Sequence, residues 1–251
     1  MIDLPLISMN DNSITSNTSI FNKLNRNLFG SIVIWNKILL IAVIFAVFIL
    51  PVLPVEWHQK LFHFVFTIIY FSAILSIRRQ SNSILFLFFA TLMLEWVSAL
   101  FNFSVILAIT KLVNVIFFLV IVGALIKQIA TSREVTSGVI LGSITGYLLL
   151  GIVYSIFISY IIQHDPEAFS TLPAEKIESG AAIEMGIPLY YSYVTLATVG
   201  YGDIVPLKSY TRSLATWIAI SGQFYIAIIV ALLVGKFSAN RPREKETSDK
   251  D

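Results

Sequence analysis

The chain has no cysteine among its 251 residues, so neither a disulfide framework nor a thiolate metal site can form. Charge is nearly as scarce: Asp, Glu, Lys and Arg together make up 13% of the sequence, about half of what soluble domains carry. The formal net charge of +2 is too small to imply nucleic acid as a partner. Only three histidines are present, His58, His63 and His164. They lack the paired spacing of a metal site and read as surface or packing residues. No phosphate-binding loop and no nucleophile paired with a base is apparent, so nothing supports an enzyme or an organic cofactor. The N-terminus lacks a charged segment followed directly by a short apolar run, which argues against a cleaved signal peptide.

What fills the chain instead is apolar surface. Hydrophobic residues reach 57% and the mean hydropathy is +0.82, more than one soluble core of this length can hide. A spanning helix needs about 20 mostly apolar residues to cross a hydrocarbon layer of roughly 30 Å. Six segments approach or meet that length: about 34–55, 60–77, 83–101, 104–126, 137–162 and 211–236. The third and fourth come from one nearly continuous run, too long for a single crossing at about 1.5 Å per residue. Asn102-Phe103-Ser104 is its best turn candidate.

The expected fold is therefore an all-α membrane protein of six transmembrane helices. Residues 1–33 form a polar tail rich in Ser, Asn and Thr, expected to be flexible because it buries too little apolar area to offset ordering. Residues 34–130 hold four helices, 131–236 the last two with the region between them, and 237–251 a short charged tail. With both termini inside, twelve basic residues face the cytoplasm (Lys23, Arg26, Lys37, Arg78, Arg79, Lys127, Arg133, Lys236, Arg241, Arg243, Lys245, Lys250). Four face outside: Lys60, Lys176, Lys208 and Arg212. The excess favours that orientation.

Between the last two segments, residues 187–197 fit about three helical turns opened by Pro188. They are too short to span and run into Thr195-Leu196-Ala197-Thr198-Val199-Gly200-Tyr201-Gly202-Asp203. Irregular backbone at membrane depth is tolerated only where protein buries it or a wet path solvates it, which a re-entrant pore loop does. A dehydrated potassium ion needs oxygens to replace its water shell, and backbone carbonyls can supply them. Alternating glycines at Gly200 and Gly202 allow the angles that aim successive carbonyls at one axis. The Thr198 hydroxyl can add a further oxygen layer.

The run Thr195 to Asp203 resembles the signature of tetrameric potassium channels, and the layout is similar to their six-transmembrane branch with a re-entrant pore helix and filter between helices 5 and 6. The resemblance implies Thr198, Val199, Gly200, Tyr201 and Gly202 as the selectivity filter, with K+ held at Thr198 to Tyr201 as the permeant ion. It implies a homotetramer, since each chain supplies one filter strand, with membrane lipid around it. Tyr190 and Tyr191 stand where the family's aromatic cuff lies, Thr195 belongs to the filter's support, and Asp203 is the acid that follows it. Val194 removes the buried carboxylate some members carry there. Gly222 resembles the family's hinge glycine; close helix packing is the alternative. Ile226, Val230 and Val234 recur every four residues, fitting either a hydrophobic gate or a lipid-facing side. Two other functions stay open, a weakly selective cation channel and a regulatory subunit of a heteromeric channel. The small size resembles bacterial inner-membrane members.

Gly138, Gly142 and Gly146 form a small-residue stripe for helix packing, partner unassigned. Glu95 and Lys111 lie inside apolar segments, where they are expected to pair with each other, with snorkelling of Lys111 as the alternative. From Phe103 to Ile126 Lys111 is the one charge, so the four-helix region looks like a voltage sensor without gating charges. Steep voltage dependence is accordingly expected to be absent. Patch-clamp recordings that resolve several gating charges per subunit would overturn this.

Overall fold

The computed structural model describes residues 33–77, 82–100, 104–132, 134–170 and 186–239. The expected N-terminal tail and most of the C-terminal tail lie outside the described residues. Among those described, the chain is helical throughout, apart from turns and one isolated bridge between Phe169 and Pro206. The helices are α1 (Val33–Val52), α2 (Val55–Ser76), α3 (Asn82–Leu100), α4 (Ser104–Thr131), α5 (Ser137–His164), α6 (Gly186–Leu196) and α7 (Ser209–Ala239). Four of them, α1, α4, α5 and α7, are long and apolar enough to cross a membrane, while α2 and α3 contain shorter apolar runs. The protein is an integral membrane protein.

Proline shapes the end of α1. Pro51 has no N–H, and its ring would press on the carbonyl four residues back. The helix accommodates it by widening to a π-turn over Phe45–Ile49, where the Leu50 N–H reaches the Phe45 carbonyl, and then tightening to a 3₁₀ turn over Leu50–Val52. Leu53, forced out of the helical region by Pro54, ends it at φ −70 and ψ 155.

The centre of the molecule is α5, against which α1, α4, α6 and α7 all pack, and its small residues receive them. A Cβ on Gly138 would lie 3.3 Å from Val33 of α1, and one on Gly142 would lie 3.7 Å from Leu125 of α4. At Gly146 it would overlap the Tyr225 hydroxyl of α7, and at Gly151 the Tyr193 ring of α6. The stripe thus serves several partners rather than one helix. Hydroxyls complete these contacts. Tyr225 donates to the Ser143 carbonyl at 2.7 Å, Tyr193 to the Leu148 carbonyl at 2.5 Å and Ser192 to the Gly151 carbonyl at 3.0 Å. Where water is absent each hydroxyl must find an internal acceptor. No buried side-chain N or O atom among the described residues lacks a partner.

In the α1–α4 bundle the buried carboxylate of Glu95 gathers neutral or titratable partners instead of Lys111. His63 lies 2.8 Å away, Asn114 Nδ2 donates at 3.1 Å and Tyr70 at 3.4 Å. Tyr70 also donates to Asn114 Oδ1 at 3.1 Å. Lys111 turns to α5, where it donates to Gln163 Oε1 at 2.6 Å. The reason is rotational. Asn114 and Lys111 lie within one turn of each other on α4, and the short amide fits against Glu95 at the bundle centre while the long ammonium reaches past its edge. The bundle also differs from expectation at its end, since α4 runs to Thr131 and so includes Lys127, a second basic residue. One further link is polar: Lys236 of α7 donates to the Ile129 carbonyl and, at 3.0 Å, to the Ala130 carbonyl. These belong to the last turn of α4, whose carbonyls have no helical partners and favour a cation.

The α5 contacts make opposite forecasts for two glycines. Gly142→Ala meets ordinary van der Waals space and should leave thermal stability within about 0.5 kcal/mol of the parent, as substitutions without a named mechanism do. Gly151→Ala pushes into the Tyr193 ring and should cost about 1–3 kcal/mol by overpacking. Thermal unfolding of both variants in detergent is the check, and equal midpoints would contradict the assigned packing.

Candidate functional site: the segment after α6

Helix α6 ends in a specific hydrogen-bonded arrangement. The Thr198 N–H donates to the Thr195 carbonyl at 2.9 Å and the Val199 N–H to the Val194 carbonyl at 2.9 Å. These are the two bonds of a Schellman cap, which places Thr198 at the position that adopts left-handed backbone. Thr198 does so, with φ 58. Glycine is the usual occupant, because a β-branched residue there is strained. Strain of this kind concentrates at functional sites. The Gly200 N–H also reaches the Val194 carbonyl, at 3.3 Å.

Beyond the cap, Gly200 has φ 56 and Gly202 φ 79. Positive φ thus recurs at every second residue, 198, 200 and 202. A Cβ on Gly200 or Gly202 would meet nothing within 4 Å, so backbone conformation, not crowding, fixes glycine at these two positions. The side chains of Val199 and Tyr201 are exposed on the single chain.

The flanks of this segment are braced. Tyr190 donates to Asp203 Oδ2 at 2.6 Å, and Asp203 Oδ1 accepts the Ile204 N–H at 3.0 Å. Tyr191 points the other way, buried edge-on against Phe169 at a centroid distance of 5.0 Å. The two tyrosines therefore differ: one holds the acid, the other packs. Thr195 lies in the last turn of α6, its carbonyl engaged in the cap. Farther out, the Ser170 N–H meets the Val205 carbonyl at 2.8 Å and the Leu207 N–H the Ala168 carbonyl at 2.9 Å. Asp165, just past α5, accepts from Lys208 Nζ at 2.9 Å and from Tyr210 at 2.5 Å. From the sequence Lys208 counted only as an outer charge, with no link to Asp165. Their pairing clamps the end of α5 to the start of α7. The Lys208 hydrogen bond holds the Asp165 carboxyl below its ordinary range, and the Asp165 bond raises Lys208 in turn.

Beneath the segment, Gly222 of α7 is buried, and a Cβ there would overlap the Leu196 carbonyl oxygen and come within 2.9 Å of its Cδ1. Close approach to the end of α6 is thus reason enough for glycine at 222, as in the packing alternative. Next to it, Ser221 accepts from Tyr154 of α5 at 2.7 Å. Ile226, Val230 and Val234 are exposed on the single chain. Sequence reading missed Tyr154, Tyr193, Tyr225 and Gln223; the available signal was a hydroxyl or amide inside an apolar segment, each of which needs an internal partner. Glu95 and Lys111 lie in or beside the peripheral bundle and are not part of this site.

A sequence model of the family described as "Ion channel" matches residues 147–239, which takes in α6, the segment after it and all of α7. Among curated proteins, a potassium voltage-gated channel, subfamily A member 10, of Mus musculus is 31% identical over 132 residues, 52% of this chain and 22% of that protein. The chain is thus similar to potassium channels over about half of its length. A Shaker-related potassium channel of Oncorhynchus mykiss is 28% identical over 111 residues, 43% of this chain and 20% of that protein. A delayed-rectifier potassium channel regulatory subunit of Mus musculus is 27% identical over 124 residues, 49% of this chain and 21% of that protein. The matched stretch spans about a fifth of the length of these relatives. No solved structure matches this chain. The matched family is one of ion channels, not of enzymes.

The Tyr190 bond holds the Asp203 carboxyl below the ordinary carboxylate range. With the folded value depressed, the bond's stabilisation is fully present above the unfolded carboxylate range and is lost as pH falls through the folded value. In Tyr190→Phe the Asp203 midpoint should rise toward the ordinary value of about 3.9. Carboxyl-carbon NMR titration of Asp203 measures this, and an unmoved midpoint would refute the coupling.

Proposed function

We propose that this chain is a potassium-selective channel subunit that conducts K+ passively through a homotetramer, with Thr198, Val199, Gly200, Tyr201 and Gly202 as the filter. The observation that carries the reading is the positive φ at 198, 200 and 202, following directly on the cap of α6. Alternating hand along a strand turns successive peptide groups the same way, and the carbonyls can then form a ladder of oxygens on one side. Four such ladders around an axis replace the water shell of a dehydrated K+. One chain supplies one ladder, so closed fourfold symmetry completes the site. Tyr190, Tyr191, Thr195 and Asp203 brace the strand from behind. No cofactor enters this scheme beyond the permeant ion, held at Thr198 to Tyr201.

In this reading six helices cross the membrane, α1–α5 and α7, with α6 re-entrant. Residues 34–130 form the peripheral bundle and 131–236 the pore domain. Both termini face the cytoplasm, and a bacterial inner membrane is the proposed setting. Gly222 lets α7 pass under the filter, and Ile226, Val230 and Val234 form the apolar wall of the path below, which can close by dewetting. Lys111 and Lys127, far apart on α4, do not make a ladder of gating charges, so opening is not steeply voltage-driven. One likeness favours a second reading: a relative named as a regulatory subunit is 27% identical, and a chain of that kind conducts only beside another.

Purified polypeptide in liposomes separates these outcomes. Reversal potentials under K+ and Na+ gradients should show strong K+ preference for the chain alone, and none without it. Gly200→Ala places a side chain at φ 56 against a penalty of about 1–2 kcal/mol and should lose that preference. A mutant that stays equally selective would sink the filter assignment, and no flux from the chain alone would favour the regulatory reading.

A further inference from the structure

On α7, Gln223 donates from Nε2 to the hydroxyl oxygen of Thr198 at 3.4 Å. The contact is long, but its position makes it consequential. The backbone of Thr198 is held on every side: its own N–H is bonded to Thr195, and the next two N–H groups are bonded to Val194. Its side chain has no such framework. Among the described residues, the hydrogen bond recorded at its hydroxyl is the one from Gln223. A threonine hydroxyl has two acceptor lone pairs and one proton, and its side chain can rotate among staggered positions. A donor on one lone pair fixes the oxygen and leaves the other lone pair open.

Two further features place that donor. Gly222, the adjacent residue, lets the α7 backbone sit directly on the Leu196 carbonyl, which sets the height of Gln223 beneath the strand. At about 100° per residue, Gln223 shares a face of α7 with Ile226, Val230 and Val234, all exposed on the single chain along with Gln223 itself. From Gln223 down to Val234 that face is otherwise apolar, so Gln223 is its polar end.

We propose that Gln223 is a positioning residue for the innermost oxygen layer of the filter: its amide holds the Thr198 hydroxyl in the rotamer that offers an oxygen to a dehydrated monovalent cation of potassium's size. This rests on the filter reading above. Without the amide the hydroxyl rotates freely, the layer loses a preset ligand, and binding bears the cost of ordering it. In a fourfold assembly the effect occurs at all four hydroxyls of one layer.

The test is a thermal-unfolding titration of the full-length protein in detergent, with K+ exchanged for Na+ at constant ionic strength. An ion at concentration c that binds the native state stabilises it by RT ln(1 + c/Kd), so the unfolding temperature climbs with the logarithm of K+ concentration above Kd. In Gln223→Leu, which keeps bulk and removes the donor, the K+ concentration needed for a given rise in unfolding temperature should increase about 2- to 10-fold, the span of one neutral hydrogen bond. The unfolding temperature in Na+ alone should stay unchanged. Gln223→Asn keeps the amide but falls one methylene short, and it should show the same rise if the leucine variant does not assemble. In a Thr198→Ala background either substitution should add nothing, since coupled residues are non-additive. An unchanged K+ requirement, or a loss of stability equal in both salts, overturns the assignment to Gln223. A parent protein with no preference for K+ over Na+ overturns the filter reading itself, and this inference with it.

Discussion

Helix α5 is the element on which the C-terminal half of this chain is assembled. In hydrocarbon, helices gain little from burying apolar side chains against each other, so close approach and internal hydrogen bonds have to hold them. Helix α5 offers both. Its small residues let α1, α4, α6 and α7 come near at successive heights, and its carbonyls at Ser143, Leu148 and Gly151 accept hydroxyls from α6 and α7. Because α6 is seated by Tyr193 and Ser192, the position of Thr198 and of the glycines after it follows from that seating. The oxygens of the strand are as well placed as α5 is straight and close.

The strand itself is a case of one local rule overruling another. A Schellman cap asks for glycine, and the chain supplies threonine. Such a conflict persists only when surrounding bonds over-determine the conformation, and here the paired carbonyls of Val194 and Thr195 do so from within α6. The braces at Tyr190–Asp203 and at Asp165–Lys208 extend the same logic outward, tying both ends of an irregular segment to helices.

Much of this was legible in the residues. The apolar runs place the helices to within a few positions, Pro188 marks the start of α6, and the spacing of Gly200 and Gly202 points to the alternating backbone that the structure has. What could not be read was which face of each helix meets which neighbour. A soluble helix shows its inward side by where the polar residues stop, whereas α3, α4 and α5 are apolar all round and carry no such mark. That is why the glycines of α5 had no assigned partner, and why Glu95 was expected to meet Lys111 when Asn114, on the inner side of the same helix, takes that place. The fourth segment was also read as ending at Ile126 rather than Thr131, since the polar Lys127 and Gln128 interrupt the apolar run while the hydrogen-bonded helix continues through them.

The connection between α4 and α5 is short, running from Ser132 to Thr136, and α4 lies along α5 of its own chain. The peripheral bundle therefore has a docking surface available as soon as α5 has entered the bilayer, with no need for a neighbouring copy. The bundle and the helices that follow it can thus mature as one unit within a single chain.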